Sequence, residues 1–283
     1  MLKPNDTIAL FTSGSPTINQ NDADRAVQFC NSQLNLNAVY DQSAKGYTTP
    51  EQRAAFFLHY LKDPSIKMLW ALRGGEGTAD IIPYLHQHKN EILKLIPKPI
   101  IGFSDITALL IYFSQQYDWP VFHGPGLMQL VDKKINQQSI ASVLDLIFKD
   151  KYNFDLDLSP LNELATQTKI PEAKLTGGNL TLLTISIKDI WEINCDNKII
   201  FIEDVSEKPH AIYRSLKYLQ RIGKFEKAKA IILGDFLGDN PVASAAEYDR
   251  VLQYFARDIE LPVYRSERFG HGLWNLILPF SYF

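Results

Sequence analysis

From the N-terminus to about Lys151, short β-branched or apolar runs alternate with longer segments of helical period, and this alternation constrains the fold more than any other feature. Thr7 to Phe11 precedes a helical face made of Ala23, Ala26, Val27, Cys30 and Leu34. Ala38-Val39-Tyr40 precedes a helix opened by Pro50 and carrying Ala54, Phe57, Leu58 and Leu61, and Met68 to Leu72 reads as a buried strand. Then come Ile81 to Leu85, Ile100-Ile101, an amphipathic helix after Ser104, Val121-Phe122, and a helix through Ile140, Val143, Leu144 and Ile147. Strands separated by helices pair in parallel, so the pattern predicts an α/β, doubly wound sheet with its functional loops at the carboxyl ends of the strands. Ser104, the glycine-rich segment after Leu72, and His123 all fall at such ends.

Between Lys151 and Glu172 the periodicity gives way to polar, Asp- and Asn-containing sequence that reads as a connection. The expected division is a first domain over 1–151, a linker over 152–172 and a second domain over 173–283. The second domain should hold a glycine turn at Gly177-Gly178-Asn179, a strand at Ile199 to Ile202, a helix near Tyr213 to Ile222, a strand at Ala230 to Leu233 and a helix near Ala245 to Ala256.

Composition excludes several functions. A net charge of −3 over 283 residues offers no field for nucleic acid or an anionic membrane. Cys30 and Cys195 form no C-x-x-C pair, which excludes a zinc ribbon or dithiol redox motif and fits a reduced compartment. The apolar run Ile8 to Phe11 is too short for a signal peptide, and no later run approaches a membrane span, so a cytoplasmic protein is expected.

Four groups carry candidate chemistry. Ser104, in Gly102-Phe103-Ser104-Asp105, reads either as a helix cap or as a nucleophile at a strand-to-helix bend, with Ile106 standing where a nucleophile elbow has its second glycine. Arg73-Gly74-Gly75-Glu76-Gly77 has neither dinucleotide nor Walker spacing; it reads as a tight turn or as a loop whose Gly75 N–H faces a developing oxyanion. Glu203 and Asp204 close an apolar strand and point to opposite faces, so only one can serve a given site. His271 is framed by Gly270 and Gly272, which permit close approach of a loop. Among the other histidines, His86 and His88 cannot share a helical face and no H-E-x-x-H is present, leaving His123 as the rival base. Ser104, Glu203 and His271 stand in the chain order nucleophile, acid, base used by one group of serine hydrolases.

GFSDITALL, RGGEG, the HGP at His123, LTGGNLTLL, FIEDV, AIILGDF and GHG together resemble the LD-carboxypeptidase family of serine peptidases, in order and at about the family's spacing over nearly the whole chain. The resemblance implies a Rossmann- or flavodoxin-like N-terminal domain, a smaller β-rich C-terminal domain, Ser104 as nucleophile, His271 as general base and Glu203 as the group orienting the imidazole. It also places the oxyanion N–H donors at Gly75 and Asp105. Expected partners are a murein-derived peptide and a second copy of the chain as a homodimer, with no nucleic acid, membrane, metal or organic cofactor. The expected reaction is hydrolysis between the L-centre of a diamino acid and a terminal D-alanine. A smaller branch resembles microcin self-immunity peptidases that cleave peptide-adenylate conjugates, for which Trp191 would be a stacking residue. A peptide-binding module without activity is the alternative of another class. Arg73 is a candidate for the substrate carboxylate and Glu76 for a substrate amine. Two departures from the family bear on specificity: Glu76 stands where an aromatic residue is common, and the C-terminus is short, ending Leu278-Pro279-Phe280-Ser281-Tyr282-Phe283.

Overall fold

The computed structural model describes residues 1–14, 20–40, 49–151, 155–238 and 245–281. The start of the expected linker, 152–154, and the terminal Tyr282 and Phe283 lie outside the described residues.

The strands are β1 (Thr7–Phe11), β2 (Asn37–Tyr40), β3 (Ile66–Ala71), β4 (Ile100–Gly102), β5 (Val121–His123), β6 (Ser159–Pro160), β7 (Lys174–Asn179), β8 (Lys198–Val205), β9 (Ala230–Leu237), β10 (Val263–Arg265) and β11 (Leu278–Pro279). They form two sheets, ordered β2-β1-β3-β4-β5-β11 and β6-β10-β9-β8-β7. In the first, β2-β1-β3-β4-β5 is parallel and in the flavodoxin-like order, with the crossover helices that the alternation predicts. The second sheet is parallel from β7 to β10, and only β6 pairs antiparallel.

Helix Pro50–Lys62 begins where the proline indicates, and its start is a reciprocal capping box between Thr49 and Gln52. Helix Thr107–Tyr117 is not the amphipathic element expected. Thr107 to Phe113 are all buried, because this helix lies between the two sheets and shares one apolar core with Phe57 and Trp119 on one side and Leu180, Leu183 and Ile200 on the other. Ser104 thus stands at the entrance to the element that joins the two halves.

Three further readings change in the structure. Gly177-Gly178-Asn179 is not a turn but the end of β7, paired in register with Phe201, Ile202 and Glu203. Its glycines are a packing requirement: at φ +143° and +130°, Cβ atoms there would stand 1.9 Å from the Phe201 carbonyl oxygen and 2.5 Å from Thr107 Oγ1. Within the stretch read as a linker, Ser159–Pro160 pairs with β10 and Glu163–Gln167 is a short helix capped by Asn162. The C-terminal β11 returns to the first sheet, where Leu278 lies opposite His123. Two-residue strands carry no legible period, so neither pairing is visible locally.

Candidate active site

The carboxyl ends of β3, β4 and β5 meet those of β8 and β9. Ser104 follows β4 at φ +59°, in the left-handed region that a non-glycine residue occupies at a cost, and it opens a tight turn, Ser104–Ile106, that feeds the buried helix. The residue flanking that turn is the extended Phe103, without a side-chain cap, so the serine is not there as a helix cap. Gly102 makes the bend feasible, since a Cβ there would lie 2.6 Å from Ile106 Cγ2.

Glu203 and Asp204 separate as strand geometry requires. Glu203 is fully buried and its Oε2 accepts a hydrogen bond from His271 Nδ1 at 2.6 Å. Asp204 takes the other face, accepting from Asn179 Nδ2 at 2.8 Å and from the Thr181 amide and hydroxyl at 3.0 and 2.9 Å; it holds the start of helix Leu180–Ile185. Phe103, the residue before Ser104, lies against the imidazole with ring centroids 4.8 Å apart, so His271 packs on the segment that carries the serine.

The electrostatics follow from this pairing. Burial pulls the His271 imidazole down, but the Glu203 charge and hydrogen bond outweigh it and raise His271 above its ordinary value. Burial pushes Glu203 up, yet His271 opposite it holds the carboxyl below the usual range. A carboxylate only accepts, so Nδ1 carries the proton and Nε2 is left as the proton acceptor. His123 is a different kind of histidine: fully buried, pushed down to about 4 by that burial, and enclosed by Phe103, Phe201 and Phe269. It has no exposure to a substrate and is not the rival base.

The glycines around His271 are explained by Asp235. A register shift in the β8–β9 pairing puts an extra residue in β9 between Leu233 and Phe236. Asp235, in that bulge, donates its N–H to the Phe269 carbonyl at 3.0 Å and accepts the Gly272 N–H on Oδ2 at 3.1 Å, gripping the loop on both sides of the histidine. Gly270, at φ +128°, and Gly272 pass so close that added Cβ atoms would stand 2.7 Å from Asp235 Cβ and 2.5 Å from its Oδ2.

The loop after β3 is tied to the same turn. Asp105 Oδ2 accepts from the Thr78 amide at 2.9 Å and its hydroxyl at 2.5 Å, Thr78 Oγ1 lies 2.8 Å from Ser13 Oγ, and Arg53 donates to the Ser13 carbonyl at 2.5 Å. The glycine against the serine is Gly74, whose added Cβ would lie 2.8 Å from Ser104 Cβ and 2.9 Å from Oγ. Gly75 follows it, exposed and at φ +157°. Glu76 is exposed and Arg73 half-buried on this loop. Trp191 is buried in the core, away from any stacking role.

Sequence reasoning did not single out Gly74, Thr78 or Asp235. Asp235 carries the signal that marked Glu203, an acid closing an apolar strand. The other two carry no comparable signal, because their partners are distant in the chain.

This constellation, on a flavodoxin-like sheet joined to a second parallel sheet, defines a class. The LD-carboxypeptidase N-terminal domain model matches residues 8–124 and the C-terminal domain model residues 172–282, and the chain belongs to that family. It is 37% identical over 221 residues to a putative carboxypeptidase of Rickettsia conorii, a match spanning 76% of this chain and 66% of that protein's length. It is 31% identical over 239 residues to the murein tetrapeptide carboxypeptidase of Pseudomonas aeruginosa, spanning 82% of this chain and 76% of that one. Its fold matches the crystal structure of an MccF-like protein from Bacillus anthracis with a TM-score of 0.79, over 99% of this chain and 92% of that one at 17% identity.

Proposed function

We propose that the protein is a serine-type LD-carboxypeptidase that removes the terminal D-alanine of a murein tetrapeptide. The observation that carries the reading is the 2.6 Å Glu203–His271 pair, packed on Phe103 next to a serine held in left-handed backbone. In the steps this implies, Ser104 Oγ attacks the scissile carbonyl and passes its proton to His271 Nε2, which returns it to the leaving amine; a water activated by His271 then releases the acyl group. The Gly75 and Asp105 amides are the proposed donors to the oxyanion; the packing of Gly74 on Ser104 and the Thr78–Asp105 bonds support this by clamping the two loops together.

Glu76 and Arg73 remain the proposed contacts for a substrate amine and carboxylate. A cytoplasmic homodimer divided near 152–172 accompanies the reading. Among the described residues no helix is long and apolar enough to cross a membrane.

The test is incubation with murein tetrapeptide and with its all-L analogue, with products identified by mass. Release of D-alanine from the first only is expected, and Ser104→Ala or His271→Ala should lower turnover by several orders of magnitude, on the order of 10⁶ in well-studied triads, with a smaller loss in Glu203→Gln. Cleavage of a peptide-adenylate conjugate but not the tetrapeptide would move the protein to the immunity branch, and Ser104→Ala retaining activity within about tenfold would refute the triad.

A further inference from the structure

Glu203 uses only one of its oxygens on His271. Oε1 is buried and makes no hydrogen bond of ordinary geometry among the described residues, although Asn179, opposite Glu203 on β7, helps to favour its charge; both ring nitrogens of His123 are likewise without a partner. A buried acceptor and a buried donor left unmade are each costly, so their occurrence in one aromatic enclosure calls for an explanation.

The geometry brings the two groups together. Phe201 and Glu203 lie two apart on β8 and face the same side. The His123 ring lies 5.1 Å from the Phe201 ring, and Phe103 spans the gap between the histidines, 6.3 Å from His123 and 4.8 Å from His271. The titratable groups facing His123 are Glu203 from β8 and His271 from the loop after β10; around them stand the rings of Phe103, Phe201 and Phe269 and, across the strand pairing, Leu278. We propose that His123 is a positioning residue whose ring N–H, directly or through one bound water, holds Oε1 of Glu203, so that the carboxylate is gripped from both sides and keeps Oε2 on His271.

Burial suits His123 to this part. It is neutral at physiological pH, so it offers one N–H without a second positive charge that would compete with His271 for the carboxylate. This deepens the proposed hydrolysis and rests on it.

The test compares His123→Phe, which fills the space without a donor, with His123→Asn, which keeps one, using the murein tetrapeptide. In His123→Phe, kcat should fall about 10- to 100-fold with KM unchanged. The acid limb of the kcat/KM profile should move to higher pH, because a carboxylate that has lost a donor is a stronger base toward His271. His123→Asn should recover most of the loss. Equal impairment of the two variants, or a folded His123→Phe with kcat within about twofold and an unmoved limb, overturns the proposal. A substrate-free measurement separates this from a failure of the carboxypeptidase reading: in histidine-¹⁵N-labelled wild type, a slowly exchanging His123 ring N–H should be seen and should be altered by Glu203→Gln. A His123 signal indifferent to Glu203→Gln overturns the proposal even if the enzyme is active, and an altered one sustains it if the tetrapeptide is not cleaved.

Discussion

Replacing Gly74 by alanine tests the site through a residue that takes no part in the chemistry. The added Cβ would lie 2.8 Å from Ser104 Cβ and 2.9 Å from Oγ, while carbon atoms rest comfortably at about 3.5–4.0 Å. Relief therefore requires roughly 1 Å of relative movement between the loop after β3 and the serine turn. Neither side yields easily: the serine backbone is held by the buried helix that follows, and the loop is pinned by the Thr78–Asp105 bonds. A displacement of about 1 Å at a reacting group costs on the order of 10²-fold in rate, and overpacking costs about 1–3 kcal/mol of stability. Gly74→Ala should thus lower kcat by about 10² and the melting temperature by several degrees, about 2–4 °C per kcal/mol for a chain somewhat shorter than this one. Steady-state kinetics on the tetrapeptide and a thermal melt read both. A variant with wild-type kcat and an unchanged melt would show that the loop does not bear on Ser104, and the reasoning from packing to rate would fail.

Three further outcomes follow from named contacts. His271 is raised above its ordinary value and, in the proposed mechanism, must be neutral to take the serine proton, so the acid limb of kcat/KM should lie above about 6.5; a limb well below that value in the wild type would contradict the Glu203 pairing. Asp204 and Asp235 are both pushed up to about 6 by burial, so the folded state takes up protons there that the unfolded chain does not. Their contribution is present below the unfolded carboxylate pKa and lost as pH rises through about 6, and His271 acts in the same sense as pH rises through its own raised value. Glu203, held low, works oppositely and loses its contribution only as pH falls below the ordinary carboxylate range. His123, pushed down to about 4, also works against the two aspartates, because below the ordinary histidine value the unfolded chain takes up a proton that the buried ring does not. The readout is therefore the difference between proteins: from pH 7.5 to pH 5, Asp235→Asn should gain less melting temperature, or lose more, than the wild type, and an identical change in both would remove Asp235 from the account. Gly177→Ala would set a Cβ 1.9 Å from a backbone oxygen inside the second sheet at positive φ, and should destabilise the protein by more than about 4 kcal/mol or prevent its recovery in soluble form. A soluble variant with a near-native melt would mean that β7 and β8 do not pair in this register.

The alternation of apolar runs and helical periods by itself determined the parallel first sheet and the strand ends from which Ser104 and the glycine loop project, because a period of two or three to four residues is written in neighbouring positions. Local punctuation likewise marked Glu203 and the Gly-framed His271, and alternation along β8 dictated that Glu203 and Asp204 part ways. Tertiary structure alone decided what lies between those points. The helix after Ser104 is buried all round because the second sheet covers the face expected to meet solvent. β11 returns to the edge of β5 and caps His123, which is 155 positions from Leu278 in sequence. Gly74 against Ser104, Thr78 on Asp105, and Asp235 on the histidine loop are contacts between segments about 27 to 37 residues apart, and no local period encodes them. His123 shows the division most plainly. Its sequence context, a histidine at a strand end before Gly-Pro, equally suited an exposed base, and only the closing of three phenylalanine rings around it removed it from solvent.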